Sequence, residues 1–333
     1  MNAADTPAAS ELPTFDDVLA AADRIKGEAV RTPLLTWRVL DDAVGARVFL
    51  KPECLQRTGS FKFRGAFNAV AKLAPEVRAR GVVASSSGNH AQGLAAAALI
   101  HGVPATIVMP GDAPAIKRER TAALGADIVL YDRARDDRDA IAGAIAAKTG
   151  GTIVHPYDNA GVIAGQGTVG LEIVEDMKAF GVAPDIVLVC CGGGGLTAGI
   201  ALAVKALVPD AVVHTVEPAG FDDQARSFIA GERLHNPALS GSICDALLAP
   251  KPGRLTFAIN RDRVGSGLVV TDAEALAAVS FAARELKLIA EPGGAVALAA
   301  ALGHKVDFAG RTVAVVMSGG NIDPAMLARA IAA

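Results

Sequence analysis

Lys62 stands between Phe61 and Phe63, after Thr58-Gly59-Ser60 and before Arg64-Gly65-Ala66-Phe67-Asn68. An ammonium among apolar neighbours is costly to keep charged, so its pKa falls. A lysine of lowered pKa is an amine nucleophile and base, of the kind that forms Schiff bases. Taken alone, the residue could equally be a solvated lysine near the start of a helix. Four further segments decide what it can do.

Ser85-Ser86-Ser87-Gly88-Asn89-His90 follows an apolar run and opens a helical pattern. Main-chain N–H groups and serine hydroxyls there form a pocket for an anion such as a carboxylate. Asn89 adds an amide for a phenolic or carbonyl oxygen; a serine-rich helix cap is the competing reading. Cys191-Gly192-Gly193-Gly194-Gly195-Leu196 lets backbone amides approach a phosphate at a helix start. The rival there is a dinucleotide loop, but the third glycine of that fingerprint is misplaced and the next strand runs into Glu217-Pro218. Ser318-Gly319-Gly320-Asn321 ends the last strand, where open α/β sheets bind ligands. Ser318 offers one neutral hydrogen bond, unless the segment is a plain turn. Glu291-Pro292-Gly293-Gly294-Ala295 reads only as a turn and a helix start.

The elements that must position these residues alternate. Apolar β-rich runs lie at 48–51, 82–85, 105–109, 127–131, 152–154, 186–190, 212–216 and 312–317. Helical patterns lie at 15–26, 64–73, 91–101, 116–124, 138–148, 164–180, 195–207, 272–286 and 324–332. Thr271 and Glu274 fit a capping box. The strands are continuously apolar, hence buried on both faces. The pattern predicts an α/β chain of two domains, each an open, mostly parallel sheet covered by helices. Residues 70–158 form the small domain; 1–69 and 159–333 form the large one. The stretch 234–260, with five prolines and glycines, reads as a loop.

Of 333 residues, 51% are hydrophobic but only 4% aromatic, so the core is aliphatic. A net charge of −3 leaves no basic field for nucleic acid or an anionic membrane. No apolar run approaches the ~20 residues of a membrane span. The first seventeen residues carry no Lys or Arg and read as a loose leader rather than a secretory signal. Cys54, Cys190, Cys191 and Cys244 form no CxxC pair and read as reduced thiols of a cytoplasmic protein.

Together these segments resemble the pyridoxal-phosphate enzymes of the threonine dehydratase and serine racemase family. SFKFRGA at 60–66, SSGNHAQG at 86–93, GGGGL at 192–196 and SGGN at 318–321 carry the resemblance in the family's order. It extends from about Phe15 to the end, and resembles the short, catabolic type without a C-terminal regulatory domain. The resemblance implies a tryptophan-synthase β-like fold in a homodimer or homotetramer. It implies that Lys62 holds pyridoxal phosphate as a Schiff base, that Phe61 packs on its ring, and that Asn89 bonds its phenolic oxygen. Gly192, Gly193, Gly194, Gly195 and Leu196 would hold the phosphate, and Ser318 would face the pyridine nitrogen. Ser86, Ser87, Asn89 and His90 would gather a substrate carboxylate.

The implied reaction is β-elimination of water from L-serine or L-threonine, giving a 2-oxo acid and ammonia, with Lys62 taking the Cα proton. A neutral Ser318 leaves the ring nitrogen unprotonated, which favours prompt expulsion of the hydroxyl over transamination. Ser87 occupies the position where serine racemases and threo-3-hydroxyaspartate dehydratases carry serine, making those activities the alternatives, with Ser87 as a second acid–base. Arg138 and His155 fall near positions the family uses around the substrate, and an arginine there would pair with the second carboxylate of hydroxyaspartate; an exposed helix charge is the other reading of Arg138. Ser242-Ile243-Cys244-Asp245-Ala246 departs from the family's glycine-containing pattern. A β-replacement synthase is a more distant alternative, opposed by Phe63-Arg64-Gly65 after Lys62. Glu217, Phe221 and Asp223 resemble the family's divalent-cation loop, two carboxylates and a carbonyl suited to Mg²⁺ or Ca²⁺; a strand end and a helix cap at Asp222 is the other reading.

Overall fold

The computed structural model describes residues 6–113, 115–132 and 134–332. Two parallel sheets form its frame. The larger has strands β1 (Arg47–Pro52), β6 (Ile186–Cys190), β7 (Val212–Pro218), β8 (Val264–Val270) and β9 (Thr312–Met317), in the order β1-β9-β6-β7-β8. The smaller has β2 (Val82–Ser85), β3 (Ala105–Pro110), β4 (Asp127–Tyr131) and β5 (Thr152–Ile153), in the order β4-β3-β2-β5. All pairings are parallel, and one row across the larger sheet runs Leu50, Val315, Leu188, His214. Successive residues of these strands enter opposite cores, as pleating requires. Leu50, Leu188 and Val315 pack against the helix Pro292–Leu302, whereas Phe49, Val187, Val189 and Val316 pack with Ile173, Met177 and Ile200. Burial on both faces explains why these strands are apolar without alternation.

Ligands gather at the carboxyl ends of parallel strands where the chain reverses its direction of travel across a sheet. The segment bearing Lys62 follows β1, the tetraglycine follows β6, Glu217 lies near the end of β7, and Ser318 follows β9. In the smaller sheet the serine loop follows β2 and His155 follows β5, its neighbour on the side away from β3.

The helix Lys62–Ala71 passes close to the helices Asn89–His101 and Ala160–Ala179. A Cβ on Gly165 would lie 2.6 Å from the Arg64 carbonyl, and one on Gly93 would lie 3.1 Å from the Lys62 carbonyl carbon. Arg64, fully buried, donates from Nε to Glu53 Oε2 at 2.8 Å and from Nη1 to Glu172 Oε1 at 2.6 Å. Nη2 reaches both carboxylates again, and Nη1 also reaches Thr168. Lys51, equally buried, donates to Glu172 Oε2 at 2.6 Å and to the Thr32 carbonyl at 2.7 Å. Two cations thus meet two carboxylates, with the Arg64 N–H groups bonded and two of the three Lys51 hydrogens placed, close to the condition under which buried charge is tolerated.

Three expectations are corrected. Strand β8 was not anticipated, because Gly265 and Gly267 break its β pattern; a Cβ on Gly267 would strike the helix Asp223–Ala230 at Ala225. The stretch 234–260 is not all loop, since a helix begins at Arg254. Its first N–H groups are capped by Asp158, at 2.9 Å from Arg254 N and 2.7 Å from Leu255 N, a partner 96 residues away or more. The helix expected over 272–286 is α-helical only to Phe281 and closes in a π turn, Ala282–Leu286. The Thr271–Glu274 capping box is present.

Replacing Arg64 by methionine leaves Glu53 buried without its bonded cation and leaves Glu172 with Lys51 alone. The expected cost is about 3–5 kcal/mol, read as a fall in the urea midpoint; a loss below about 1 kcal/mol would mean the pairs contribute little.

Candidate active site

Phe61 precedes the first helical turn, and Lys62 opens it. The Phe61 N–H donates to the Ser318 carbonyl at 3.1 Å, and Ser60 forms an isolated bridge with Gly319. The end of β9 is therefore stitched to the lysine's own backbone. Lys62 Nζ donates to the Pro156 carbonyl at 2.7 Å and lies 5.1 Å from the Phe61 ring centroid. Burial lowers its pKa to about 8, and the positive end of the helix dipole acts in the same direction.

Pro156 lies in His155-Pro156-Tyr157-Asp158, just beyond β5. The Tyr157 ring lies where a Cβ on Gly193 would stand, so the tetraglycine and the lysine share this wall. Burial pushes the Tyr157 phenol up to about 12. Gly194 has φ of 92°, a left-handed conformation suited to glycine, and opens the helix Gly195–Leu207, with Leu196 buried in its first turn. The loop is held by Thr256 Oγ1, donating to the Gly193 carbonyl at 2.6 Å, and by Asn260 Nδ2, donating to the Gly194 carbonyl at 3.3 Å. A Cβ on Gly194 would meet Gln224 Nε2, and one on Gly195 would meet Gln166 Oε1. The amides of Gln166 and Gln224 are buried with neither end bonded. A phosphate in this bend would accept from those amides and from the N–H groups of the helix start, so the residues present fit such a group.

Ser86, Ser87 and Asn89 lie half-buried at the start of the helix Asn89–His101, whose first-turn N–H groups have no partner within the helix. Ser86 Oγ accepts from the Gly88 N–H at 3.3 Å. The His90 ring is turned away: its Nε2–H donates to the Val154 carbonyl at 2.8 Å, and burial drops its pKa to about 3. What His90 offers a carboxylate is its main-chain N–H. Asn89 Nδ2 donates to Glu291 Oε1 at 2.6 Å, and Asn89 Oδ1 accepts from Asn321 Nδ2 at 2.7 Å.

Arg138 and His155 line one cavity of about 130 Å³ with Ser85, Pro156 and Tyr157. His155 is kept neutral chiefly by burial, and its Nδ1 accepts from the Asp158 N–H at 2.9 Å. The Arg138 side chain is 46% exposed and meets Asp139 only at 3.8 Å. A larger hollow of about 560 Å³, beside Gly111, Leu130 and Tyr131, contains none of these groups. Lys117, from the helix Ala115–Ala122, donates to Asp245 at 2.7 Å, and both charges act on Glu291.

Glu217 and Asp223 are fully buried beyond the tetraglycine, with Phe221 beside them. Glu217 accepts the Gln224 and Ala225 N–H groups, each at 2.9 Å, so it caps the helix Asp223–Ala230; Asp222 makes no side-chain cap. Asp223 Oδ1 accepts from Asn236 at 2.6 Å, while Oδ2 is buried without a partner. Burial and the charge of Asp223 push the Glu217 carboxyl well above its usual range. No cluster of three or more His, Cys, Asp or Glu suited to a metal occurs among the described residues, so these two carboxylates and a carbonyl are what the segment offers.

The sequence reading missed Pro156, Tyr157, Gln166, Gln224, Asn260 and the active-site place of Glu291. The strand-end position of 155–158 was a usable signal. The others lie inside helices or turns and carry none.

Comparison with known proteins agrees with this geometry. The model of the family described as pyridoxal-phosphate dependent enzyme matches residues 25–319. The chain is 45% identical over 315 residues to an L-threo-3-hydroxyaspartate ammonia-lyase of a Pseudomonas species, covering 94% of this chain and 97% of that one. It is 42% identical to an L-threonine ammonia-lyase of Thermotoga maritima, covering 96% of this chain and 78% of that one. The crystal structure of maize serine racemase superposes with a TM-score of 0.90 at 36% identity, over 96% of this chain and 97% of that one. Among the described residues, no helix is long and apolar enough to cross a membrane.

A free lysine would become reactive only near its ordinary pKa of 10.5; Lys62 should do so through about 8. Mass-spectrometric counting of its modification by an amine-reactive reagent against pH, on protein stripped of any carbonyl compound bound to the amine, should give that midpoint; reactivity rising only with the surface lysines would refute the buried amine.

Proposed function

The chain belongs to the pyridoxal-phosphate dependent enzymes, and we propose that within them it is a hydroxyamino-acid ammonia-lyase with a preference for threo-3-hydroxyaspartate. It would release a 2-oxo acid and ammonia. When bound, the cofactor supplies an electron sink for charge at Cα. The chain's residues do the rest. Lys62 would anchor the cofactor and, when free, take the Cα proton; an amine with a pKa of about 8 is a serviceable base near neutrality. Gly192 to Gly195 and Leu196 would hold the phosphate, Phe61 the ring face, Asn89 the phenolic oxygen, and Ser318 the ring nitrogen through a neutral hydroxyl. Ser86, Ser87 and the main chain of Asn89 and His90 would orient the substrate carboxylate. Tyr157 and the glycine loop wall the Lys62 side of the site. We take residues 70–158 as the small domain that carries the carboxylate site, and 1–69 with 159–333 as the large one.

The observation that carries the substrate preference is Arg138. Its weakly paired guanidinium lines the same cavity as Pro156, the carbonyl that receives Lys62 Nζ. An arginine on that wall suits a second carboxylate bidentately. The similarity to L-threo-3-hydroxyaspartate ammonia-lyases supports the same reading. L-serine and L-threonine turnover is the less specific form of this chemistry. Racemisation is a second reading, favoured by Ser87: among the described residues its hydroxyl is committed to no side-chain hydrogen bond, leaving it available to Cα. Glu217, Asp223 and the Phe221 carbonyl would bind Mg²⁺ or Ca²⁺, which would satisfy the unpartnered Asp223 oxygen.

Ammonia release should be measured with L-serine, L-threonine and both 3-hydroxyaspartate diastereomers. Lys62→Ala should abolish it on all four. Arg138→Ala should lower kcat/KM for the threo diastereomer by about tenfold to a hundredfold while sparing L-serine; equal losses would remove Arg138 from substrate recognition. Loss of D-serine turnover in Ser87→Ala, with L-serine elimination retained, would favour the racemase reading. A separate test concerns the cation. Added Mg²⁺ or Ca²⁺ should raise the Tm of the chelator-treated protein in a concentration-dependent way and leave Asp223→Asn unmoved; no shift in the parent protein would exclude the site.

A further inference from the structure

We infer that Glu291 is a positioning residue, which with Asn321 fixes the end of the Asn89 amide that faces the cofactor. The inference rests on the roles proposed above for Lys62 and Asn89. It starts from one backbone carbonyl. The Thr58 carbonyl can only accept, and it receives Asn321 Nδ2 at 2.8 Å. The second hydrogen of Asn321 Nδ2 goes to Asn89 Oδ1 at 2.7 Å. Asn89 must then direct Nδ2 the other way, where Glu291 Oε1 accepts at 2.6 Å. One hydrogen remains on Asn89 Nδ2, the donor a phenolic oxygen needs. Turning the amide over would set carbonyl against carboxylate at one end and NH₂ against NH₂ at the other. Both ends therefore oppose the reversal.

Glu291 is itself held in place. It is 4% exposed, its N–H donates to the Gly319 carbonyl at 3.1 Å, and its carbonyl accepts the Gly294 N–H at 2.8 Å. A side chain at 319 would strike its carboxylate, which accounts for glycine there. The charged and titratable groups facing it are Asp245, Lys117 and the Cys54 thiol. Burial, opposed by the Asn89 bond and Lys117 and aided by Asp245, brings the carboxyl to about 7. Above that pH the carboxylate accepts only, and the Asn89 donor is fixed. Below it, the acid gains a hydrogen that can donate to a reversed Asn89, and the constraint at that end relaxes.

The test is a pH titration of the absorbance of the purified holoenzyme's bound cofactor. The parent protein should show a transition near pH 7. Glu291→Gln, which can still accept from Asn89 but does not titrate, should keep the cofactor and lose the transition. Glu291→Ala should hold the cofactor about tenfold less tightly, by equilibrium dialysis, with a spectrum altered at every pH. Identical titrations and affinities in all three proteins would overturn the inference and leave Glu291 a packing residue. Failure of the parent protein to acquire the band, or its persistence in Lys62→Ala, would instead overturn the cofactor roles proposed above.

Discussion

One guanidinium without water constrains the whole arrangement. Arg64 sits two residues beyond Lys62, inside the first turns of the same helix. Its bonds to Glu53 and Glu172 tie that helix to the segment after β1 and to the long helix Ala160–Ala179. Burial alone would push the Glu53 carboxyl up; the adjacent guanidinium brings it below its ordinary value. A fork of donors between two carboxylates tolerates little rotation. The lysine is therefore presented at a set height and angle. The same interior also holds Lys62, with no carboxylate bonded to its amine, which is why one buried cation stays charged and the other gives up its proton readily.

From that fixed point the cleft is built by strand ends. β1, β6, β7 and β9 point their carboxyl ends toward one side of the larger sheet, and β2 and β5 do so from the smaller. Each loop lacks side chains where backbone must come close, so Gly193 admits the Tyr157 ring and Gly319 admits the Glu291 carboxylate. Anion-binding main chain, a reactive amine and neutral hydroxyls are thus brought together by segments far apart in sequence.

Much of this was legible in the chain, and what was not has physical reasons. Apolar runs revealed eight of the strands; in the larger sheet burial on both faces writes that unbroken signal, whereas β4 and β5, expected to be buried likewise, are apolar yet partly exposed. β8 was hidden because its glycines make room for neighbours, Gly267 for the helix at Ala225 and Gly265 for Val212 of β7. The serine and tetraglycine loops were readable because serine and glycine at a strand-to-helix turn leave main-chain N–H groups open, and Ser318 because it follows the last strand. Glu291 was not, since an acid before a proline looks like an ordinary helix start and its meaning lies in Asn89, 202 residues earlier. The cap at the Arg254 helix came from Asp158 for the same reason. Side-chain partners distant along the chain leave no local pattern.

The tie between Lys117 and Asp245 has a consequence for how firmly its two ends are joined. Asp245 is 57% exposed in its side chain, and Lys117 keeps 26%. A surface pair of this kind contributes at most about 1 kcal/mol, under twice the thermal energy. Ambient motion unfastens such a clasp, and dissolved salt loosens it further. The link between the helix Ala115–Ala122 and Asp245 is thus a weak, salt-sensitive fastening rather than a rigid joint.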